Sequence, residues 1–386
     1  MVDTPKGFAV HVAPVGAGDD GRDDFTVLLS TEPAQVSAVF TRSRFAGPSV
    51  LLSREAAADG VARGVVVVAR NANVATGAQG AANALEVRDS VAKAVGLPPG
   101  ELLVAATGVI GRHLPMESIR AHVATLGLPF PEDQGFEAAA RSIMTTDTHP
   151  KIATARVGEA TITGIAKGVG MLEPDMATLL TFFATDAHLA PEVQDRVFRE
   201  VMDVTFNAVS IDTDTSTSDT AALFANGLAG EVDADAFRTA LHRVALDLVK
   251  MIASDGEGAS KLIQVEVAGA RDAAQAKRVG KSVVNSPLVK TAVHGCDPNW
   301  GRVAMAIGKC QDETDIDKDK VTIRFGDVAV YPPRADEETI LEALTEYLSG
   351  DEVVIRIDLG IADGAFTVYG CDLTEGYVRL NSEYTT

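Results

Sequence analysis

A fold for this chain must accommodate one awkward stretch, residues 164–183, in which strand-forming residues run into glycines and a proline and then resume. Upstream, residues 152–157 and 160–166 flank Gly158-Glu159, the pattern of two antiparallel strands joined by a tight turn. The second segment reaches Lys167 and enters Gly168-Val169-Gly170-Met171-Leu172-Glu173-Pro174-Asp175-Met176-Ala177, where glycine and proline break any regular element. At Thr178 the chain turns apolar again through Leu179-Leu180-Thr181-Phe182-Phe183. The Ala177-Thr178 peptide bond therefore stands where a loop becomes a strand.

The rest of the chain alternates strand and helix patterns. Residues 25–29, 36–40 and 64–69 read as strands, and the last is apolar throughout, as for a strand buried on both faces. It empties into a polar loop, Arg70-Asn71-Ala72-Asn73. Helical spacing covers 82–95, 116–126, 136–144, 190–206, 233–253, 272–281 and 337–348, and strands are expected at 262–267, 321–324, 328–331, 352–359 and 365–369. At 386 residues, with 46% hydrophobic and 23% charged side chains, the chain is long enough for two or three units yet compatible with one interlocked α/β body. A smaller C-terminal lobe is expected beyond a boundary at about 270–290.

A formal charge of −20 repels phosphate backbones and anionic membranes, so neither nucleic acid nor membrane is an expected partner. No targeting segment or ~20-residue apolar span is legible, which suits a cytoplasmic enzyme. Cys296, Cys310 and Cys371 are widely spaced and read as buried, inert thiols.

Several chemistries fail on spacing. A dinucleotide fingerprint starting at Gly168 needs a third glycine where Glu173 stands. The acidic loop from Asp212 begins like a calcium site but has Thr217 at its sixth position and Leu223 at its twelfth. There is no G-x-S-x-G elbow and no histidine pair of metal-binding type. Two local features stay open. Thr107-Gly108-Val109-Ile110-Gly111 is either a plain strand-to-loop turn or a backbone that approaches a ligand, and Thr145-Thr146-Asp147-Thr148 is either a capping turn or a set of hydroxyl donors. Glu257, between Gly256 and Gly258, sits on a tight loop able to approach a ligand. Thr178 has the chemistry of a nucleophile: as a new N-terminus it would carry its own base, an α-amino group with a pKa of about 7.7–8.0. From periodicity alone, a plain loop-to-strand junction is the simpler reading.

Lys167-Gly168-Val169-Gly170-Met171 followed by Pro174-Asp175-Met176-Ala177-Thr178 closely resembles the self-cleavage motif of the ornithine acetyltransferase (glutamate N-acetyltransferase) family. The resemblance extends over essentially the whole chain through Asn71-Ala72-Asn73, Thr107 to Gly111, Thr145-Thr146-Asp147, Asp255 to Ala259, Asn285-Ser286-Pro287, Asp297 to Arg302 and Asn381 to Thr386. The nucleophile motif looks most like that of the paralogue found in clavulanic acid gene clusters. The resemblance implies an α/β fold built as an αββα sandwich, not a Rossmann fold, cut into an α chain (1–177) and a β chain (178–386) that assemble as (αβ)2. It implies reversible transfer of acetyl between N-acetylornithine and glutamate through Thr178, with Thr107 and Gly108 as the oxyanion hole. Thr145 or Thr146, Lys167, Thr178, Glu257, Asn381 and Thr386 would hold substrate, Lys167 pairing a carboxylate and Glu257 an ammonium group. Val169 and Asp175 replace the serine and asparagine common in the motif, which bears on cleavage rate and acyl specificity. No feature suggests a nucleotide site, so the acetyl-CoA-independent exchange is expected, with no cofactor and no metal. The competing readings are a bifunctional enzyme that also uses acetyl-CoA, an N-terminal-nucleophile aminopeptidase or amidohydrolase, and a binding protein without activity.

Overall fold

The computed structural model describes residues 3–18, 20–173, 179–333 and 337–383. Its strands are β1 (Phe8–Ala13), β2 (Phe25–Ser30), β3 (Gln35–Phe40), β4 (Gly64–Val68), β5 (Leu102–Ala106), β6 (Lys151–Val157), β7 (Ala160–Lys167), β8 (Leu180–His188), β9 (Thr220–Glu231), β10 (Leu262–Ala270), β11 (Thr322–Phe325), β12 (Val328–Tyr331), β13 (Glu352–Asp358) and β14 (Gly364–Cys371). They form three mixed sheets, ordered β1-β2-β4-β5, β3-β9-β8-β7-β6 and β12-β11-β13-β10-β14.

The first two sheets stack face to face. Their shared core joins Val10, Leu28, Val65 and Leu103 of one sheet to Ile165, Leu180, Phe182 and Phe224 of the other. The alternation along β8 explains how a strand buried from Leu180 to Ala187 serves two layers. Leu180, Phe182 and Ala184 enter the inter-sheet core, while Phe183 and Ala187 enter the core beneath the helices on the opposite face. That outer layer includes the helix Ala234–Ser254, whose Phe237, Leu241, Val244, Leu248 and Ile252 recur every three or four residues and are fully buried. Burial of each is worth roughly 1.5–3 kcal/mol before entropy is counted. Asp233 caps this helix by accepting the Ala236 N–H at 2.9 Å. On the far face of the first sheet, Val87 and Val91 of the helix Gly77–Ala94 and Ile119 of the helix Met116–Val123 close the fourth layer. Helices, sheet, sheet and helices thus make the αββα sandwich that the family resemblance implies. The third sheet builds its own core with the helices Ala273–Val284 and Trp300–Gly308. No described helix is long and apolar enough to cross a membrane.

Some elements differ from the sequence reading. Strands β1 and β9 carry no clear signal, and in β9 the small residues of Thr-Ala-Ala-Leu-Phe-Ala-Asn-Gly lack the β-branched enrichment of a strand. The helix Pro48–Ala56 carries no sequence expectation, and Pro48 opens it at the position where its missing N–H does no harm. Asn299 accepts the Arg302 N–H at 3.2 Å and caps the helix Trp300–Gly308. Only Cys371 is a buried thiol, pushed up to about 11 by that burial. Cys296 and Cys310 are partly exposed, and the Cys296 Sγ lies 2.9 Å from the Lys261 Nζ. Near the C-terminus, Glu375–Glu383 forms a helix.

Candidate active site

A cavity of about 370 Å³ opens where β5 and β7 end and β8 and β9 begin. The strand pairing makes this convergence unavoidable. Lys167, last in antiparallel β7, lies opposite Leu180, first in β8, and Leu180 in turn lies opposite Thr220, first in parallel β9.

Thr107 and Gly108 leave β5 zipped to the loop that follows β4. Thr107 N–H donates to the Val68 carbonyl at 3.1 Å, and Val109 N–H donates to the Arg70 carbonyl at 3.2 Å. Gly108 has φ +125°, and a Cβ there would collide with the Arg70 backbone, so the close approach requires glycine. The buried Lys167 Nζ donates to Thr107 Oγ1 at 3.3 Å. Because Oγ1 accepts from the ammonium group, the hydroxyl proton of Thr107 is left to point elsewhere. Burial pushes the Lys167 ammonium below the ordinary lysine value, with Lys151 adding to the shift and Asp147, Asp219 and Glu257 opposing it.

Behind Lys167 lies a buried charge network. Lys151 Nζ contacts Asp147 Oδ1 at 2.8 Å and Asp255 Oδ2 at 2.7 Å. Asp147 also accepts N–H groups from Gly168 at 2.9 Å and Thr145 at 3.2 Å. Burial works against the charged carboxylate, yet the Lys167 and Lys151 ammonium groups hold Asp147 below the usual range. The Glu257 carboxylate is gripped from two sides, by Thr146 Oγ1 at 2.7 Å and by Asn381 Nδ2 at 2.8 Å. Its own N–H donates to the Val169 carbonyl at 2.8 Å, which ties its loop to the glycine-rich turn.

Thr107, Gly108, Thr145, Thr146, Lys167, Glu257 and Asn381 all line this one cavity. Of the remaining predicted site residues, Ala177, Thr178 and Thr386 lie outside the described residues. Both threonines of the Thr145-Thr146 pair face the cavity, but only the Thr146 hydroxyl engages Glu257. Two carboxylates at the site were not singled out in the sequence. Asp212 accepts the N–H groups of Met171 at 2.7 Å and Leu172 at 2.8 Å and so fixes the glycine-rich turn. Asp219 accepts the Leu179 N–H at 2.6 Å, and burial pushes its carboxyl up to about 7. Both lie in the acidic loop whose spacing fails as a calcium site; the one local signal for Asp219 is an acidic residue directly before the apolar run from Thr220.

Residues 9–386 match the ArgJ family. The chain is 75% identical over 387 residues to glutamate N-acetyltransferase Oat2 of Streptomyces clavuligerus, covering 99% of this chain and 98% of that protein. It is 54% identical over 384 residues to the arginine biosynthesis bifunctional protein ArgJ of Rhodococcoides fascians, covering 99% of this chain and 95% of that protein. A crystal structure of the arginine biosynthesis bifunctional protein argJ from Bacillus halodurans aligns with a TM-score of 0.49 at 38% identity, over 53% of this chain and 98% of that one. The match of one family across nearly every residue, with relatives of this identity spanning both chains end to end, means that the chain belongs to the ArgJ family.

Proposed function

We propose that this chain is a glutamate N-acetyltransferase that cuts itself at Ala177-Thr178 and then moves acetyl reversibly between N-acetylornithine and glutamate through an ester on Thr178. Family membership makes it an acyltransferase of arginine biosynthesis. The observation that carries the finer reading is the meeting of Thr107, Lys167, Thr146, Glu257 and Asn381 in one cavity that also contains Leu179, the residue after the proposed nucleophile.

In the self-cleavage step the Thr178 hydroxyl oxygen bonds to the carbonyl carbon of Ala177 while the C–N bond breaks, and the hydroxyl proton ends on the released amine. Water then opens the ester, leaving a carboxylate on Ala177 and a free hydroxyl and α-amine on Thr178. In the transfer, that amine takes the hydroxyl proton as Oγ1 attacks the acetyl carbonyl of N-acetylornithine. The amide C–N bond breaks and the proton passes to the departing ornithine amine. Glutamate reverses these events and leaves as N-acetylglutamate. The Thr107 hydroxyl, whose oxygen is already engaged by Lys167, and the Gly108 N–H are the donors for the oxyanion. Lys167 suits a substrate carboxylate, and Glu257, held by two neutral donors, suits an ammonium group. On this reading the products of cleavage are chains 1–177 and 178–386, which assemble as (αβ)2 and work in the cytoplasm.

The test combines N-terminal sequencing with an exchange assay. The purified protein should yield a second N-terminus, Thr-Leu-Leu-Thr, and should release ornithine from N-acetylornithine far faster when glutamate is present. Equal release with and without glutamate would leave only a hydrolase. The Thr178→Ala chain should stay whole and lose at least about 10³-fold in rate; a cut, active variant would remove Thr178 from the mechanism. The bifunctional names of relatives such as the Rhodococcoides fascians protein make acetyl-CoA with glutamate the natural further arm of the assay.

A further inference from the structure

We propose that Asp219 is a positioning residue for the nucleophile, holding the chain on the C-terminal side of the Ala177-Thr178 bond in one fixed geometry. The inference rests on the function proposed above and adds to it a group that lies 41 positions further along the chain.

Three observations converge on this role. Leu179 has φ +69°, in the left-handed region that side chains other than glycine rarely adopt. Something must hold it there, and both of its backbone polar groups are taken. Asp219 Oδ1 accepts its N–H at 2.6 Å, and its carbonyl accepts the Thr220 N–H at 2.9 Å. Gly168, at φ +137°, supplies the space against it, because a Cβ on Gly168 would stand 2.7 Å from the Leu179 Cβ. Leu179, the residue after the proposed nucleophile, is thus clamped from the start of β9 and packed from the end of β7.

The second observation concerns Asp219 itself. It is 1% exposed, and its own carbonyl is pinned by the Thr41 N–H at 3.0 Å, so its carboxyl has a rigid base. The third is that no donor among the described residues meets its buried Oδ2 in good hydrogen-bonding geometry, although the Ser216 side chain lies close enough to favour the ionised form, while Asp219 lines the same cavity as Lys167 and Thr107. A carboxyl kept only for stability would have both oxygens paired, as Asp147 and Asp255 do. Leaving one oxygen without a well-aligned donor in a buried site is costly, and such costs gather where geometry serves a reaction. Leu179 is joined directly to Thr178, so the clamp acts one residue from the proposed nucleophile.

The step being positioned is the N-to-O acyl shift described above and, after cleavage, the attack of the same hydroxyl on the acetyl carbonyl. A misplacement of about 1 Å at such a centre is enough to cost ~10²-fold in rate. Full-length wild-type, Asp219→Ala, Asp219→Leu and Asp219→Asn chains are compared for the rate of self-cleavage on denaturing gels. The matured fractions are compared for kcat and KM in the exchange of acetyl from N-acetylornithine to glutamate. Asp219→Ala and Asp219→Leu should each lower the cleavage rate and kcat about 100-fold with KM held within about threefold, the signature of lost positioning rather than lost binding. Asp219→Asn keeps an oxygen for the Leu179 N–H and should regain at least about tenfold of the loss. The leucine variant fills the site's volume and decides the matter if the alanine variant does not fold.

Folded Asp219→Ala or Asp219→Leu chains that cleave and turn over like the wild type overturn the assignment. So does an asparagine variant no better than leucine, or a change confined to KM. If the wild type itself neither cleaves nor exchanges acetyl, the proposed function fails instead, whatever Asp219 does.

Discussion

Lys151 and Lys167 are both buried lysines, they lie one register position apart across the β6–β7 hairpin, and they are handled in opposite ways. Lys151 spends its three donors on Asp147, Asp255 and the His149 carbonyl, at 2.8, 2.7 and 3.3 Å. Lys167 makes one hydrogen bond among the described residues, a 3.3 Å contact to Thr107, and otherwise faces the cavity. The carboxylates repeat the contrast. Asp147 is flanked by two lysines and held below the usual range, whereas Asp219 has one oxygen without a well-aligned donor and is pushed up to about 7 by burial, against the opposing pull of the Leu179 N–H, the Ser216 side chain and Lys167. The lesson is that burial alone does not mark a functional charge. Burial with unused hydrogen-bonding capacity does, because a saturated ion pair has nothing left with which to hold a substrate.

Removing each lysine should separate the two roles. Lys151→Ala leaves Asp147 and Asp255 buried without their main counter-charge, and breaking such a network should cost about 3–5 kcal/mol, read as a fall in denaturant midpoint. A loss below about 1 kcal/mol would mean that Lys151 is not the keystone its contacts imply. Lys167→Ala removes a charge that burial already disfavours but also one of the two ammonium groups that hold Asp147 down, so its effect on folding should be smaller than that of Lys151→Ala. Its effect on substrate should be larger: KM should rise about 10–100-fold, the worth of one charge-assisted hydrogen bond. An unchanged KM would take Lys167 out of the binding site, and a stability loss equal to that of Lys151→Ala would erase the distinction.

What the sequence disclosed follows the same division. Periodicity located the β6–β7 hairpin and the apolar stripe from Phe237 to Ile252, because those residues report their own burial. Strand β9 escaped because alanine and glycine carry no strand signal, although its parallel pairing with β8 builds one wall of the site. Seven site residues were legible only through motifs, as nothing local says that Thr107, Thr146 and Asn381 will meet Lys167 or Glu257. Asp219 was hidden more thoroughly. Its meaning comes from an oxygen aimed at Leu179, 40 positions earlier, and a threonine- and aspartate-rich loop such as residues 212–220 contains several equivalent-looking acids. Likewise Lys151 has no sequence mark that separates it from a surface lysine.

The smallest effect tests the carboxylate half of the comparison. Asp219 has a folded-state pKa of about 7 against an ordinary value of 3.8, so the folded chain keeps this proton over a range in which the unfolded chain has lost it. Its contribution to stability is therefore fully present below about pH 4 and is lost as pH rises through about 7. The slope cannot exceed about 1.4 kcal/mol per pH unit, and between pH 5.5 and 6.5 it should be about 1 kcal/mol. Asp219→Asn cannot titrate and should lack this slope. Both proteins are best compared in the Thr178→Ala background, where each remains one chain, by urea unfolding at the two pH values. Other groups, including the stacked His11 and His122 pair, titrate alike in both and cancel in the difference. If the asparagine chain lost stability with pH as steeply as its parent, Asp219 would be an ordinary ionised carboxylate, and the contrast with Asp147 would reduce to one of geometry alone.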